Sequence, residues 1–122
     1  MILADTSVWI DHLRKGSPHL RRMLDAGFVL AHPLVIAELA LGSFKNRRQT
    51  LAYLDMMPQA SVATTFEVRK MIEAHSLHAR GIGLVDAQLI ASTLLTPSTQ
   101  LWTLDKRQQS VALSLGIAAH IP

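Results

Sequence analysis

The chain has 122 residues, of which 49% are hydrophobic and 17% charged, and it contains no cysteine. This length suffices for one domain with its own hydrophobic core, and the lack of cysteine excludes disulfides, thiolate zinc sites and cysteine nucleophiles. Twelve basic residues against nine acidic ones give a formal net charge of +3, a mild bias toward an anionic partner. Because no apolar run is long enough for a membrane span and the first residues lack signal-peptide features, we expect a cytoplasmic protein.

Hydrophobic periodicity predicts strands that alternate with helices. Short apolar runs predict strands over residues 1–4, 28–31, 100–104 and 117–121. Apolar residues at helical spacing predict helices over residues 8–15, 18–26, 33–41, 46–57, 64–80, 84–95 and 106–115. Strands separated by helices pair in parallel, so the order predicts an α/β fold. In such sheets the functional site lies at the carboxyl ends of the strands.

The acidic residues divide into two groups by their neighbours. Four have a basic residue three or four positions away and are interpreted as solvated helix surface: Asp11, Asp25, Glu67 and Glu73. Glu38 and Asp86 have only apolar residues or glycine at those spacings, although both lie in predicted helices. Asp5 and Asp105 directly follow apolar strands, at the edge of the sheet where a site is expected. Asp55 also lacks such a neighbour, but it lies near a helix end and is expected to be exposed.

Two interpretations of these acids remain open. An Asp just before a helix commonly caps it and contributes about 0.5–2 kcal/mol, which is a sufficient reason for Asp5 or Asp105 taken alone. A carboxylate on an apolar helix face must either take up a proton or find a cation, because desolvating an unpaired charge costs several kcal/mol. Together with the missing cysteines, the four acids Asp5, Glu38, Asp86 and Asp105 predict a cluster of hard oxygen ligands that suits Mg²⁺ or Mn²⁺ rather than Zn²⁺.

Four segments in this order resemble the PIN-domain ribonucleases of the VapC toxin type: MILADTSVWI at 1–10, Glu38, GLVDAQLIA at 83–91 and LWTLD at 101–105. The resemblance implies one PIN domain over residues 1–122, a three-layer sandwich whose central, mostly parallel sheet is flanked by helices. It also implies a metal-dependent endoribonuclease, made beside an antitoxin protein that blocks it and usually homodimeric. The implied catalytic and metal-binding quartet is Asp5, Glu38, Asp86 and Asp105, flanked by the hydroxyls of Thr6, Ser7 and Thr103. Some relatives carry a further acid shortly after the fourth, where this chain has KRQQ at 106–109.

The charge balance favours RNA as the substrate. Without the four acids, twelve basic residues stand against five acidic ones, a surface suited to a phosphate backbone. We expect Arg80, Lys106 and Arg107 to contact substrate phosphates.

Other functions fit the sequence less well. His75 and His78 share a face of the predicted helix 64–80, but the six histidines show no pattern for acid–base cleavage through the RNA 2′-hydroxyl. Ser7 lacks the glycines of a nucleophile elbow. The non-enzymatic alternative is an α/β protein-binding module whose carboxylates are caps. The apolar residues of helices 33–41 and 46–57 would then dock a partner helix or a second copy, which an antitoxin-bound or dimeric toxin also requires.

Overall fold

A parallel sheet of three short strands forms the centre of the computed structural model, which describes residues 1–121. The strands are β1 (Ile2–Ala4), β2 (Val29–Leu30) and β3 (Gln100–Trp102), in the spatial order β2-β1-β3. Leu3 of β1 is opposite Leu30 on one side and Leu101 on the other. This register brings the carboxyl ends of β1 and β3 together, with Asp5 donating its backbone N–H to Trp102 O at 3.0 Å.

Seven helices within residues 1–121 connect and cover the strands. They are α1 (Thr6–Lys15), α2 (Pro18–Asp25), α3 (Pro33–Ala40), α4 (Arg47–Met56), α5 (Thr65–Ala74), α6 (Leu84–Leu95) and α7 (Lys106–Ser114). The chain moves from β1 to β2 through α1 and α2, and back across β1 to β3 through α3 to α6. The first connection runs to one side of β1 and the second runs to the other side. Because crossovers between parallel strands are right-handed, two connections in opposite directions place their helices on opposite faces of the sheet. The predicted three-layer α/β architecture is therefore confirmed.

The core lies between the sheet and the helices. Leu3 and Leu101 of the strands are buried, as are Leu89 and Ile90 of α6. Every residue of α6 from position 87 to position 93 is buried, because the helix packs against both β3 and α5. This burial fixes the position of the helix that carries Asp86. Within the described residues, no helix combines the length and hydropathy needed to cross a bilayer.

Several predicted elements are shorter than expected by two or more residues, among them the strand predicted over 100–104, which ends at Trp102. The helix predicted over residues 64–80 ends at Ala74, because Ser76 adopts a left-handed conformation at φ 52° and Leu77 N–H turns back to Ile72 O at 3.0 Å. The predicted terminal strand 117–121 is reduced to a single parallel bridge between Leu101 and Ala118. The strand predicted over 28–31 keeps two residues, followed by a bridge from Ala31 to Gln59.

Candidate active site

Asp5 is the most enclosed carboxylate of the site. It follows β1 and caps α1, and only 4% of it is exposed. Its Oδ1 accepts hydrogen bonds from the backbone N–H of Ser7 and from Ser7 Oγ, the latter at 2.6 Å. Its Oδ2 accepts one from Thr103 Oγ1 at 2.5 Å. Both oxygens therefore have donors, which compensates part of the cost of burying the charge.

Two hydroxyls join the ends of β1 and β3. Thr103 Oγ1 donates to Asp5 and accepts from the backbone N–H of Asp105 at 3.0 Å. Ser7 Oγ likewise donates to Asp5 and accepts from the backbone N–H of Leu104 at 2.9 Å. Asp105 in turn caps α7, with Oδ1 accepting from Gln108 N–H at 3.0 Å. Asp5 and Asp105 thus belong to one hydrogen-bond network.

Glu38 and Asp86 reach the site from helices in other parts of the chain. Glu38 lies near the end of α3, is exposed, and accepts a hydrogen bond from Thr6 Oγ1 at 2.5 Å. The expectation that apolar neighbours enclose Glu38 is wrong, because one of them, Leu41, is 89% exposed. Asp86 lies in the first turn of α6 and is half-buried, and its Oδ2 accepts from Gly83 N–H at 3.3 Å.

The four carboxylates interact electrostatically. Burial raises the pKa of Asp86, and the negative charges of Asp105, Asp5 and Glu38 raise this pKa further. The hydrogen bond from Gly83 acts in the opposite direction. The one ion pair within residues 1–121 joins Lys15 and Asp11 at 3.3 Å, on the surface of α1. Asp86 is therefore close enough to the other three acids to be affected by their charges, and none of the four takes part in an ion pair within the described residues.

The donor set fits a hard divalent cation. All four groups are carboxylates; helix N-termini orient Asp5, Asp86 and Asp105, and the hydroxyl of Thr6 orients Glu38. In the described part of the chain, no three acidic or histidine side chains are placed closely enough to hold a metal ion as they stand. Like charges at this edge of the sheet repel one another. A cation among them would remove that repulsion.

The predicted phosphate contacts lie on two parts of the chain, the start of α7 and the loop before α6. Lys106 opens α7 directly after Asp105, and Arg80 is exposed in the loop before α6. Arg107 donates from Nη1 to Gly81 O at 3.4 Å. Gly81 has φ +77°, and a Cβ there would lie 3.1 Å from Arg107 Cδ and Nη1. Sequence reasoning missed this contact, although the Gly-Ile-Gly segment was a signal of unusual backbone at this point.

The histidines form no paired site. Because α5 ends at Ala74, His75 is its C-cap and His78 lies beyond it, so the prediction that they share a helix face is wrong. His32 is fully buried and caps α3 by accepting Leu34 N–H on Nδ1 at 3.1 Å. Its Nε2 lies 3.0 Å from Ser92 Oγ, and because Nδ1 is an acceptor, Nε2 carries the proton and donates. Burial lowers the pKa of His32, and the residue has a structural role.

Comparison with known proteins identifies the family. The family model of the PIN domain matches residues 2–113. The chain is 44% identical to Ribonuclease VapC32 of Mycobacterium tuberculosis strain CDC 1551 / Oshkosh over 118 residues, which cover 97% of this chain and 95% of that protein. Ribonuclease VapC32 of strain ATCC 25618 / H37Rv gives the same identity of 44%. The chain therefore belongs to the PIN-domain family and, within it, to the VapC proteins.

Proposed function

We propose that this protein is a metal-dependent endoribonuclease that acts as the toxin of a toxin–antitoxin pair. The observation that carries the proposal is that the charges of Asp5, Glu38 and Asp105 act on Asp86, while no ion pair in the described residues involves any of the four. Membership of the VapC proteins supports the same activity, because the relatives are named ribonucleases. The four acids are the proposed catalytic and metal-binding residues.

The proposed cofactor is Mg²⁺, with Mn²⁺ as a substitute, because every donor is a carboxylate oxygen. Such an ion would offset the repulsion between the carboxylates and the anionic phosphodiester. It would also make water acidic enough to react near neutral pH. Asp5, which is buried and has hydrogen-bond donors on both oxygens, would hold the ion together with Asp105, Glu38 and Asp86.

The protein's own groups prepare the site before substrate arrives. Ser7 and Thr103 fix the Asp5 carboxylate by donating to both of its oxygens. Thr6 orients Glu38 from the first turn of α1. These hydroxyls position the carboxylates by donating hydrogen bonds to them. The phosphodiester would lie against the carboxylate edge, with Arg80, Lys106 and Arg107 available to the flanking phosphates.

The proposed partners are an RNA substrate, a cognate antitoxin protein and a second copy of the chain. Exposed apolar side chains on and beside α3 and α4 support protein partners, since Leu41 is 89% and Met56 87% exposed. We further propose that residues 1–122 form a single PIN domain and that the protein acts in the cytoplasm, where its RNA substrate is found.

Incubation of purified, partner-free protein with total RNA tests the proposal. We expect cleavage with Mg²⁺ or Mn²⁺, none with EDTA, and none with Asp86→Asn. Asp55→Asn is the matched control, because Asp55 is an exposed helix carboxylate outside the cluster. Thermal unfolding should shift upward with millimolar metal in the wild type, since a ligand of the folded state stabilises it.

The non-enzymatic alternative, an α/β protein-binding module, keeps support from the observed caps at Asp5 and Asp105. A melting temperature that does not change with metal, together with absent cleavage, would favour that alternative. Full metal-dependent cleavage by Asp86→Asn would contradict the carboxylate-cluster proposal.

A further inference from the structure

A groove of about 780 Å³ lies beside the carboxylate cluster. It is bordered by α1, the start of α2, β3, α7 and the segment 118–121. Its volume falls within the range of cavities that hold ligands of drug size, which is also the scale of a nucleotide. None of the four acids lines it, so it is a separate surface from the site described above.

The groove is continuous with the site through the segment that joins β3 to α7. Thr103 lines it and donates its hydroxyl to Asp5. Leu104 lines it and donates its backbone N–H to Ser7 Oγ, while Lys106 lines it one residue after Asp105. A strand of RNA whose phosphate lay at the carboxylates could therefore continue into the groove without crossing another element.

The chemistry of the lining suits single-stranded RNA. Trp102, His19 and His120 contribute rings, Lys106 an ammonium group and Gln109 an amide. Aromatic and imidazole rings stack on unpaired bases, and cations contact the backbone.

The groove is biased toward anions. Its one acidic lining residue, Asp11, is already paired with Lys15 at 3.3 Å. His19 Nδ1 lies 2.7 Å from Arg22 Nη2 and accepts from it, so its Nε2 carries the proton and is a hydrogen-bond donor. The guanidinium of Arg22 adds a positive charge behind the ring.

We propose that this groove binds the nucleotides on one side of the scissile phosphate of single-stranded RNA. Trp102, His19 and His120 contact the bases, and Lys106 contacts the backbone. This inference rests on the proposed ribonuclease function and adds the residues that would determine which RNA is bound. A protein segment is less suited to the groove for two reasons. The ammonium group of Lys106 is complementary to a phosphate, and the groove is continuous with the carboxylate site.

Binding measurements on the full chain test the inference without requiring cleavage. The probe is a fluorescein-labelled oligoribonucleotide of about 12 nucleotides, a usual length for single-strand binding, in EDTA. Binding is followed by anisotropy and, with unlabelled RNA, by tryptophan fluorescence. The chain has two tryptophans, and Trp9 is only 2% exposed, so a quench on RNA binding reports Trp102. Trp102→Phe checks this assignment.

The key variant is His19→Ala with His120→Ala, and the matched control is His78→Ala, an exposed histidine outside the groove. We expect the double variant to bind RNA about tenfold more weakly, as for the loss of base-stacking contacts. In cleavage of the same RNA its KM should rise with little change in kcat, because these contacts are remote from the reacting phosphate. Gln109→Ala provides a second groove variant if the double variant unfolds.

The outcomes separate the groove from the proposed function. One outcome is metal-dependent cleavage without quenching of Trp102 fluorescence and with unchanged RNA affinity in the groove variants. This outcome would contradict RNA binding in the groove and leave the ribonuclease proposal intact. Quenching and weakened binding without any cleavage would support the groove and contradict the ribonuclease proposal. RNA that is neither bound nor cleaved would overturn both.

Discussion

Replacing Thr103 by Val should show how much the site depends on one hydroxyl. Valine has nearly the same shape, so the buried volume is preserved, but Asp5 Oδ2 loses its donor and the backbone N–H of Asp105 loses its acceptor. A hydrogen bond to a charged group contributes about 1.5–3 kcal/mol, and Asp5 is too buried for water to replace it freely. We expect the free energy of unfolding to fall by about 2 kcal/mol.

Urea unfolding in EDTA measures this loss without any contribution from bound metal. Thr103→Ser is the matched control, because it keeps the hydroxyl and removes only one methyl group. This change should lower the free energy of unfolding by about 0.8 kcal/mol. RNA cleavage should fall by about 10-fold or more in Thr103→Val, the usual effect of removing a group that orients a metal ligand.

A double-mutant cycle with Asp5→Asn tests the cause of the loss. If the destabilisation arises from the bond to the Asp5 carboxylate, Thr103→Val should cost about 1 kcal/mol less in the Asp5→Asn background. Equal losses in both backgrounds, or a Thr103→Val variant as stable as Thr103→Ser, would refute the role assigned to this hydroxyl.

Three further predictions follow from other parts of the structure. Cleavage should leave 5′-phosphate and 3′-hydroxyl ends, because water attacks the phosphorus; 2′,3′-cyclic phosphates formed in EDTA and detected by end-mapping would contradict this. Because the pKa of His32 is lowered in the folded state, the unfolded chain protonates this imidazole at a higher pH than the folded chain does. The free energy of unfolding should therefore fall as the pH drops below about 6.5, the pKa of an unperturbed histidine. Urea unfolding should show a weaker dependence on acid for His32→Asn. Gly81→Ala should lower the free energy of unfolding by about 1–2 kcal/mol, because alanine is strained at a positive φ. The added Cβ should also displace Arg107. Trypsin should then cleave after Arg80 faster than in the wild type.

Sequence patterns located Asp5 and Asp105 because the signals are local. Each residue directly follows a short apolar strand, and parallel pairing places the ends of β1 and β3 at one edge of the sheet. Thr103 could be named from family resemblance, but its bond to Asp5 spans 98 residues and depends on the register of the two strands. Helical periodicity placed Glu38 on the correct helix and could not predict its exposure, because apolar neighbours do not show which face the fold covers.

Helix ends were predictable where glycine takes the left-handed position. Gly27 and Gly116 end α2 and α7 at φ 75° and 73°. In each case the following residue donates its N–H back into the last turn, from Phe28 to Met23 O and from Ile117 to Ala112 O. Ser76 ends α5 with the same hydrogen-bond pattern. A serine in that position gives no sequence signal, so the periodicity of Val68, Met71 and Ile72 was extended too far.

Helix capping at this site is compatible with the proposed metal binding. The N-terminal N–H groups of α1, α6 and α7 hold Asp5, Asp86 and Asp105, and helix N-termini favour negative charge. These contacts allow the chain to fold with a cluster of like charges before any cation binds. Glu38 is the exception, because it lies near the C-terminal end of α3, where the helix dipole disfavours an anion.

Glu38→Gln should therefore stabilise the metal-free protein. The amide can still accept from Thr6, so the loss of charge is the main change. Removing the negative charge from the C-terminal end of α3 should raise the free energy of unfolding by about 0.5 kcal/mol. Removing its repulsion with the other three carboxylates should add a gain of similar size. Glu73→Gln is the matched control, since Glu73 lies in the last turn of α5 but outside the cluster, and only the first gain applies to it. Urea unfolding in EDTA should rank Glu38→Gln above Glu73→Gln, and metal should stabilise Glu38→Gln less than wild type. Equal gains in the two variants would mean that Glu38 does not feel the other three carboxylates.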